Sequence, residues 1–171
     1  MPFRHALFRF RAAFILSVLC LGAGAAQAAD AAATARPVST ALTVEGDPRA
    51  TYAALDLAQA VPGMRTTDGS RTIFEPRPVR FTARLAQLPA PQKADYLKKV
   101  MGLIGVTAEL KVSQRVALDY GGDKPLAAYV EDGAAARIAK DLKAGDERVF
   151  YAFHVYNNRY GPALVITAFD E

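Results

Sequence analysis

Residues 79–85 read Val-Arg-Phe-Thr-Ala-Arg-Leu, apolar and polar positions in strict alternation. That period of two predicts a half-buried strand, with Arg80, Thr82 and Arg84 sharing its wet face. Extended patterning returns over 106–120, where Val112, Val116 and Leu118 stand among Lys111, Gln114 and Arg115. Gly121 to Pro125 has turn chemistry, and 126–130 reads as a short partner strand. The densest run is FYAFHVYNNRYGPALVITAF, residues 150–169. It predicts a hairpin, with strand 148–156 and strand 163–169 joined by the polar turn 157–161.

Helical spacing takes over in three places. Asp47-Pro48 predicts a helix start, with Asp47 as N-cap and proline in the first position. Tyr52, Leu55, Leu57 and Val61 follow, and Val61-Pro62-Gly63 is its expected end. Residues 89–105 predict a second helix, Pro91 in its first turn and Leu97, Val100, Met101 and Ile104 facing the core. The third runs from an Asp132 cap to Ala144, with Ile138 and Leu142 buried, Lys140 and Lys143 at the negative end, and Gly145 as stop. Asp68-Gly69 marks a turn whose flanks suit a hairpin. Glu75-Pro76-Arg77-Pro78 is expected to break the chain before the strand at 79.

The first 28 residues have a different logic. Arg4, Arg9 and Arg11 precede the apolar run 12–26, and Ala26-Gln27-Ala28 offers a small-x-small cleavage site. Together these predict a secretory signal peptide and a periplasmic or secreted protein. The run falls short of the roughly 20 residues a bilayer requires, so no transmembrane anchor is expected after cleavage. Arg9 and Arg11 are not adjacent, so the twin-arginine route is not indicated. Cys20, preceded by the bulky Leu19, makes a poor lipobox, and cleavage after Ala28 removes this single cysteine. A disulfide is then unavailable to the mature chain. Residues 29–46 read as a flexible lead-in and 47–171 as a single globular domain.

Charge follows the leader. The chain carries 21 Lys and Arg against 17 Asp and Glu, formally +4. Removing 1–28 takes three of the basic residues and none of the acidic ones, leaving 18 against 17, or +1. A phosphate-binding footprint is not supported, so nucleic acid is not an expected partner.

Strand 79–88, a hairpin over 106–130, helix 133–144 and hairpin 148–169 come in an order that resembles an OB-fold. DGAAARIAKDLKAGDERVFYAFHVYNNRYGPALVITAF looks most like its last third. The fold class expected is mainly β with helices (α+β). In finer detail it is a small OB-like five-stranded barrel, core about 79–169, with an inserted helix and an N-terminal helical extension. The resemblance implies an extended ligand lying across the second and third strands and the adjoining loops. That implicates Tyr120, Tyr129 and the turn Asn157, Asn158, Arg159 and Tyr160, with His154 and Tyr156 beside it. It also implies a binding role more than an enzymatic one.

His154 is the one histidine beyond the leader, and without cysteine the usual nitrogen-and-sulfur zinc sites are not assembled. No metal or cofactor is therefore expected. Ser39, Ser70 and Ser113 lie in no GxSxG elbow. Alternation places His154 with Phe150, Ala152 and Tyr156, opposite Val149, Tyr151, Phe153 and Val155, where it serves as filling. Tyrosine and arginine at the hairpin suit a recognition surface, and equally suit a strand. Arg65, Arg71, Arg77, Arg80 and Arg84 face only Asp68 and Glu75 across their span. Arg77, Arg80 and Arg84 are the candidate anionic-ligand patch; a solvated strand face is the plainer reading. The acidic pairs Glu131-Asp132 and Asp146-Glu147 flank helix ends, where caps are expected.

The functional expectation is a non-catalytic periplasmic binding module for an envelope protein or glycan. A small hydrolase using His154 and a structural subunit of an envelope assembly are the alternatives. Ligand identity and oligomeric state are open at the level of sequence.

Overall fold

The computed structural model describes residues 51–106 and 110–170. The leader, the lead-in, Ser39 and the Asp47-Pro48 cap lie outside them. Within them the chain is mainly β with three helices, an α+β arrangement as expected. In chain order the elements are β1 (Ala53–Ala54), α1 (Leu57–Met64), β2 (Thr72–Pro91), α2 (Asp95–Leu103) and β3 (Val112–Asp119). They continue with β4 (Leu126–Glu131), α3 (Asp132–Asp141), β5 (Glu147–Asn158) and β6 (Gly161–Phe169).

β2 organises the sheet. Its first part pairs antiparallel with β5, from Thr72 opposite Asn157 to Arg84 opposite Glu147. Its last part pairs with β3, from Arg84 opposite Asp119 to Pro91 opposite Gln114. β3 is antiparallel to β4, β4 parallel to β6, and β6 antiparallel to β5. The pairing therefore returns to β2, and β2-β3-β4-β6-β5 close a hydrogen-bonded ring with β1 added outside it. Register shifts interrupt β2 between Ile73 and Arg77 and twice between Leu85 and Ala90. Bulges bend a strand, which lets one continuous β2 serve two neighbours.

Those shifts also correct the sequence reading. Pro76 and Pro78 do not break the chain, since both lie within β2, Pro76 in its first irregularity and Pro78 just past it, opposite Phe153. Pro89 and Pro91 close β2, and α2 begins only at Asp95, where a helix from 89 was expected. A proline has no N–H for the ladder and is tolerated where pairing is already disturbed.

The first expected helix is interrupted: Thr51 is helical, and a separate helix begins at Leu57. Ala53 and Ala54 pair with Val79 and Arg80, so the stretch expected to be helical is extended there. Asp56 is the cap, its Oδ1 accepting from Ala58 N at 3.0 Å and Gln59 N at 3.2 Å. The helix continues through Pro62 and Gly63 to Met64. Asp68 does form its turn, accepting from Ser70 N, but the flanks build no hairpin. Thr66 N donates to Asn158 O and Thr72 pairs with Asn157, so both flanks belong to β5. At α3 the cap is Glu131, accepting from Ala134 N at 2.9 Å. Asp132 instead accepts from Ser113 N and Oγ, and the helix stops at Asp141.

Two cores form on opposite sides of β5. The first gathers Phe81, Leu85, Val116, Leu118, Val130, Phe150, Leu164 and Ile166 from all five strands of the ring, with Val61 of α1 and Ile138 of α3. The second joins Leu97, Val100 and Met101 of α2 to Tyr151, Phe153, Val155 and Tyr156 of β5 and Val165 of β6. Burying each such side chain stabilises by about 1.5–3 kcal/mol, so α2 is a cover held by its apolar face. Every residue from Phe150 to Tyr156 is buried, which explains the unbroken aromatic run. One assignment changes with it. Tyr156 packs with Val155 in the second core, not with Phe150 and Ala152. The register slips between His154 and Tyr156, and the extra residue turns Tyr156 to the other face.

Candidate functional site

The hairpin of β5 and β6 turns through Arg159 and Tyr160, with Asn158 opposite Gly161. Asn158 Oδ1 accepts from Tyr160 N at 2.7 Å, which fixes the tip. Gly161 has φ +119, and a Cβ there would lie 3.0 Å from Val61 Cγ1. Only glycine meets both demands, so α1 sits hard against the end of the hairpin. Arg159 lays its guanidinium over the Tyr160 ring at 4.7 Å and donates to the Tyr160 hydroxyl. Tyr160 itself is 66 % exposed.

Inward from the tip the tyrosines form a chain. Tyr156 is buried, and its hydroxyl is hydrogen-bonded to Tyr129 of β4. Burial, then the Tyr129 bond, pushes the Tyr156 phenol up from its ordinary value, so it remains a neutral hydroxyl. Its ring meets Tyr96 of α2 edge-on, centroids 5.2 Å apart. Arg71 then lies 3.9 Å over the Tyr96 ring. Beside this chain opens a cleft of about 390 Å³. Tyr129, Tyr156, Asn158 and Tyr160 line it, with Gln92, Arg115, Pro125 and Pro162. No carboxylate stands among its lining residues.

His154 lies behind this surface. It is 5 % exposed, with Nε2 2.7 Å from Asn157 Oδ1 and its ring edge-on to Phe74 at 4.6 Å. Desolvation chiefly lowers its pKa below the ordinary value, and Arg77 adds to this; hydrogen bonds to Asn157 and the Tyr156 backbone oppose them. Its hydrogen-bond partners are thus an amide and a backbone group. Ser70 is engaged in the Asp68 turn and Ser113 donates to Asp132 Oδ1, whereas the side-chain partner of the imidazole is Asn157.

The structure brings Tyr129, Tyr156, Asn158 and Tyr160 together and leaves Tyr120 elsewhere. Tyr120 accepts from Arg65 Nη2 at 3.5 Å and borders a different hollow, of about 370 Å³, beside Asp56 and Arg80. The three arginines of the proposed anionic patch do not converge. Arg84 pairs with Glu147 at 3.8 Å, Arg80 donates to Tyr52 O, and Arg77 lies over the Phe74 ring. Gln92, Tyr96 and Arg115 are functional candidates that sequence reasoning did not single out. Alternation around Val116 and Leu118 marks Arg115 as outward-facing, the one signal available for it.

Among the described residues, no group of three or more His, Cys, Asp or Glu gathers as a metal site, and no helix is long and apolar enough to cross a membrane. Comparison with family models, with curated proteins and with solved structures finds no significant match to this chain.

Proposed function

We propose that this chain is an exported, non-catalytic binding module whose closed strand ring is an OB-like barrel. Its ligand, an envelope protein or glycan, would lie in the cleft between β4 and the β5–β6 hairpin. The supporting observation is that cleft, about 390 Å³ with three tyrosines from two strands and a turn on its walls. The strand order supports the barrel reading: a helix separates the third and fourth ring strands, and the third runs parallel to the fifth. Tyrosine provides large, rigid contact area with a hydroxyl for hydrogen bonding, which suits capture more than turnover. His154, buried against an amide and a phenyl ring, is assigned to packing.

The test is calorimetric titration with a panel of solubilised peptidoglycan fragments and envelope-derived peptides. Arg159→Glu combined with Tyr160→Ala should abolish saturable binding while leaving the melting temperature unchanged. Binding that survives the double variant at full affinity would remove the hairpin from the site. Absence of saturable binding across the whole panel would count against the binding role.

A further inference from the structure

We infer that the cleft selects an extended acidic peptide, with Arg115 as the anchor for its carboxylate; this rests on the binding role proposed above. Arg115 stands on β3 between Ala90 of β2 and Tyr129 of β4 in the strand register. It is exposed, and no hydrogen bond or ion pair engages its side chain among the described residues. The other outward arginines nearby are occupied: Arg71 stacks on Tyr96 and Arg159 on Tyr160. Arg115 is the one cation among the residues lining the cleft, and its side-chain donors are unspent.

Two hollows meet at this residue. On one side is the tyrosine cleft. On the other is a hollow of about 240 Å³ bounded by Gln87, Leu88, Ala90 and Ala117, with Arg115, Pro125 and Ala127 common to both. Leu88 is 43 % exposed there. An apolar seat, a forked cation and an aromatic slot thus follow one another across three strands.

The chemistry of these groups selects the ligand. A guanidinium and the tyrosine hydroxyls donate, and no carboxylate lines the cleft to repel an anion. Asn158 spends its Oδ1 on Tyr160 N, and Gln92 spends its amide N–H on Lys93 O. A neutral sugar needs several acceptors for its hydroxyls, and among the residues lining the second hollow only Gln87 carries a side-chain acceptor. A nucleic acid would need several cations along its backbone, where the cleft lining supplies one. An extended peptide projects aliphatic, acidic and aromatic side chains at successive positions, which matches all three subsites.

The experiment uses an immobilised array of short peptides in matched pairs, a central Glu against a central Gln, each with Leu on one side and Tyr on the other. The Glu member should bind about tenfold more tightly, because a bidentate charge-assisted bond is lost in its partner. Arg115→Gln should erase that difference while retaining the weaker binding of the Gln peptides, and Arg115→Lys should restore part of it. Equal binding of the two members, or a preference that persists in Arg115→Gln, would overturn the inference. Binding of an acidic oligosaccharide in place of every peptide would overturn it too, yet would leave the cleft as a binding site if Tyr160→Ala abolished that binding. Failure of every probe to respond to Tyr160→Ala would defeat both readings.

Discussion

The Nε2 of His154 and the Oδ1 of Asn157 lie 2.7 Å apart, tying the buried middle of β5 to the start of its exposed turn. An amide oxygen only accepts, so Nε2 carries the proton, and the lowered pKa leaves the ring neutral at neutral pH. The same ring packs edge-on against Phe74, within the irregular stretch of β2. One side chain therefore joins β2, β5 and the hairpin tip.

His154→Ala should accordingly destabilise the domain by about 3 kcal/mol, the range for emptying a buried ring-sized site. Asn157→Ala, which strands the imidazole N–H, should cost about 1–2 kcal/mol. Urea unfolding followed by circular dichroism measures both. A stable His154→Ala protein would remove the packing role.

The pH dependence has a defined sign. Burial depresses the folded-state pKa of His154, so the unfolded chain takes up a proton first as pH falls. Stability from this group is fully present above the ordinary histidine pKa of about 6.5 and declines below it, levelling off under the folded-state pKa. Urea midpoints should fall between about pH 7.5 and 5.5 in the parent protein, and that slope should shrink in His154→Gln.

Gly161→Ala should destabilise by about 1–3 kcal/mol, since alanine is strained at φ +119 and its methyl would meet Val61. Val61→Ala relieves the contact and leaves the dihedral strain. The double variant should therefore be less destabilised than the sum of the two single ones, by denaturant midpoints.

Much of the sheet was legible because its strands carry their period openly. Val79, Phe81, Ala83 and Leu85 are buried and Thr82 and Arg84 exposed, as alternation requires. The closing hairpin was equally plain. Helix starts were less so, because neighbouring acids compete for one role. Asp56, inside the stretch expected to be helical, caps α1, and Glu131 caps α3 while Asp132 turns to Ser113. Bulges were invisible, and the slip beside Val155 moved Tyr156 from one core to the other. The cleft itself was half legible. Tyr129 and the hairpin tip were in view, but Gln92 and Arg115 reach it, and Tyr96 reaches Tyr156, from parts of the chain that only tertiary pairing brings close.

Tyr156→Phe isolates the tyrosine chain from the hairpin. Losing its hydroxyl bond to Tyr129 should cost about 1 kcal/mol of stability. In alkaline spectrophotometric titration, the variant should lack the phenol that ionises late in the folded parent.

The most direct measurement is amide chemical-shift mapping of the isotope-labelled protein during titration with a peptide or glycan fragment that binds it. The account predicts saturable shifts concentrated on residues 127–129, 156–163 and around Arg115. Shifts centred instead on Tyr120 and Arg80, or spread over α2 with the cleft silent, would contradict it.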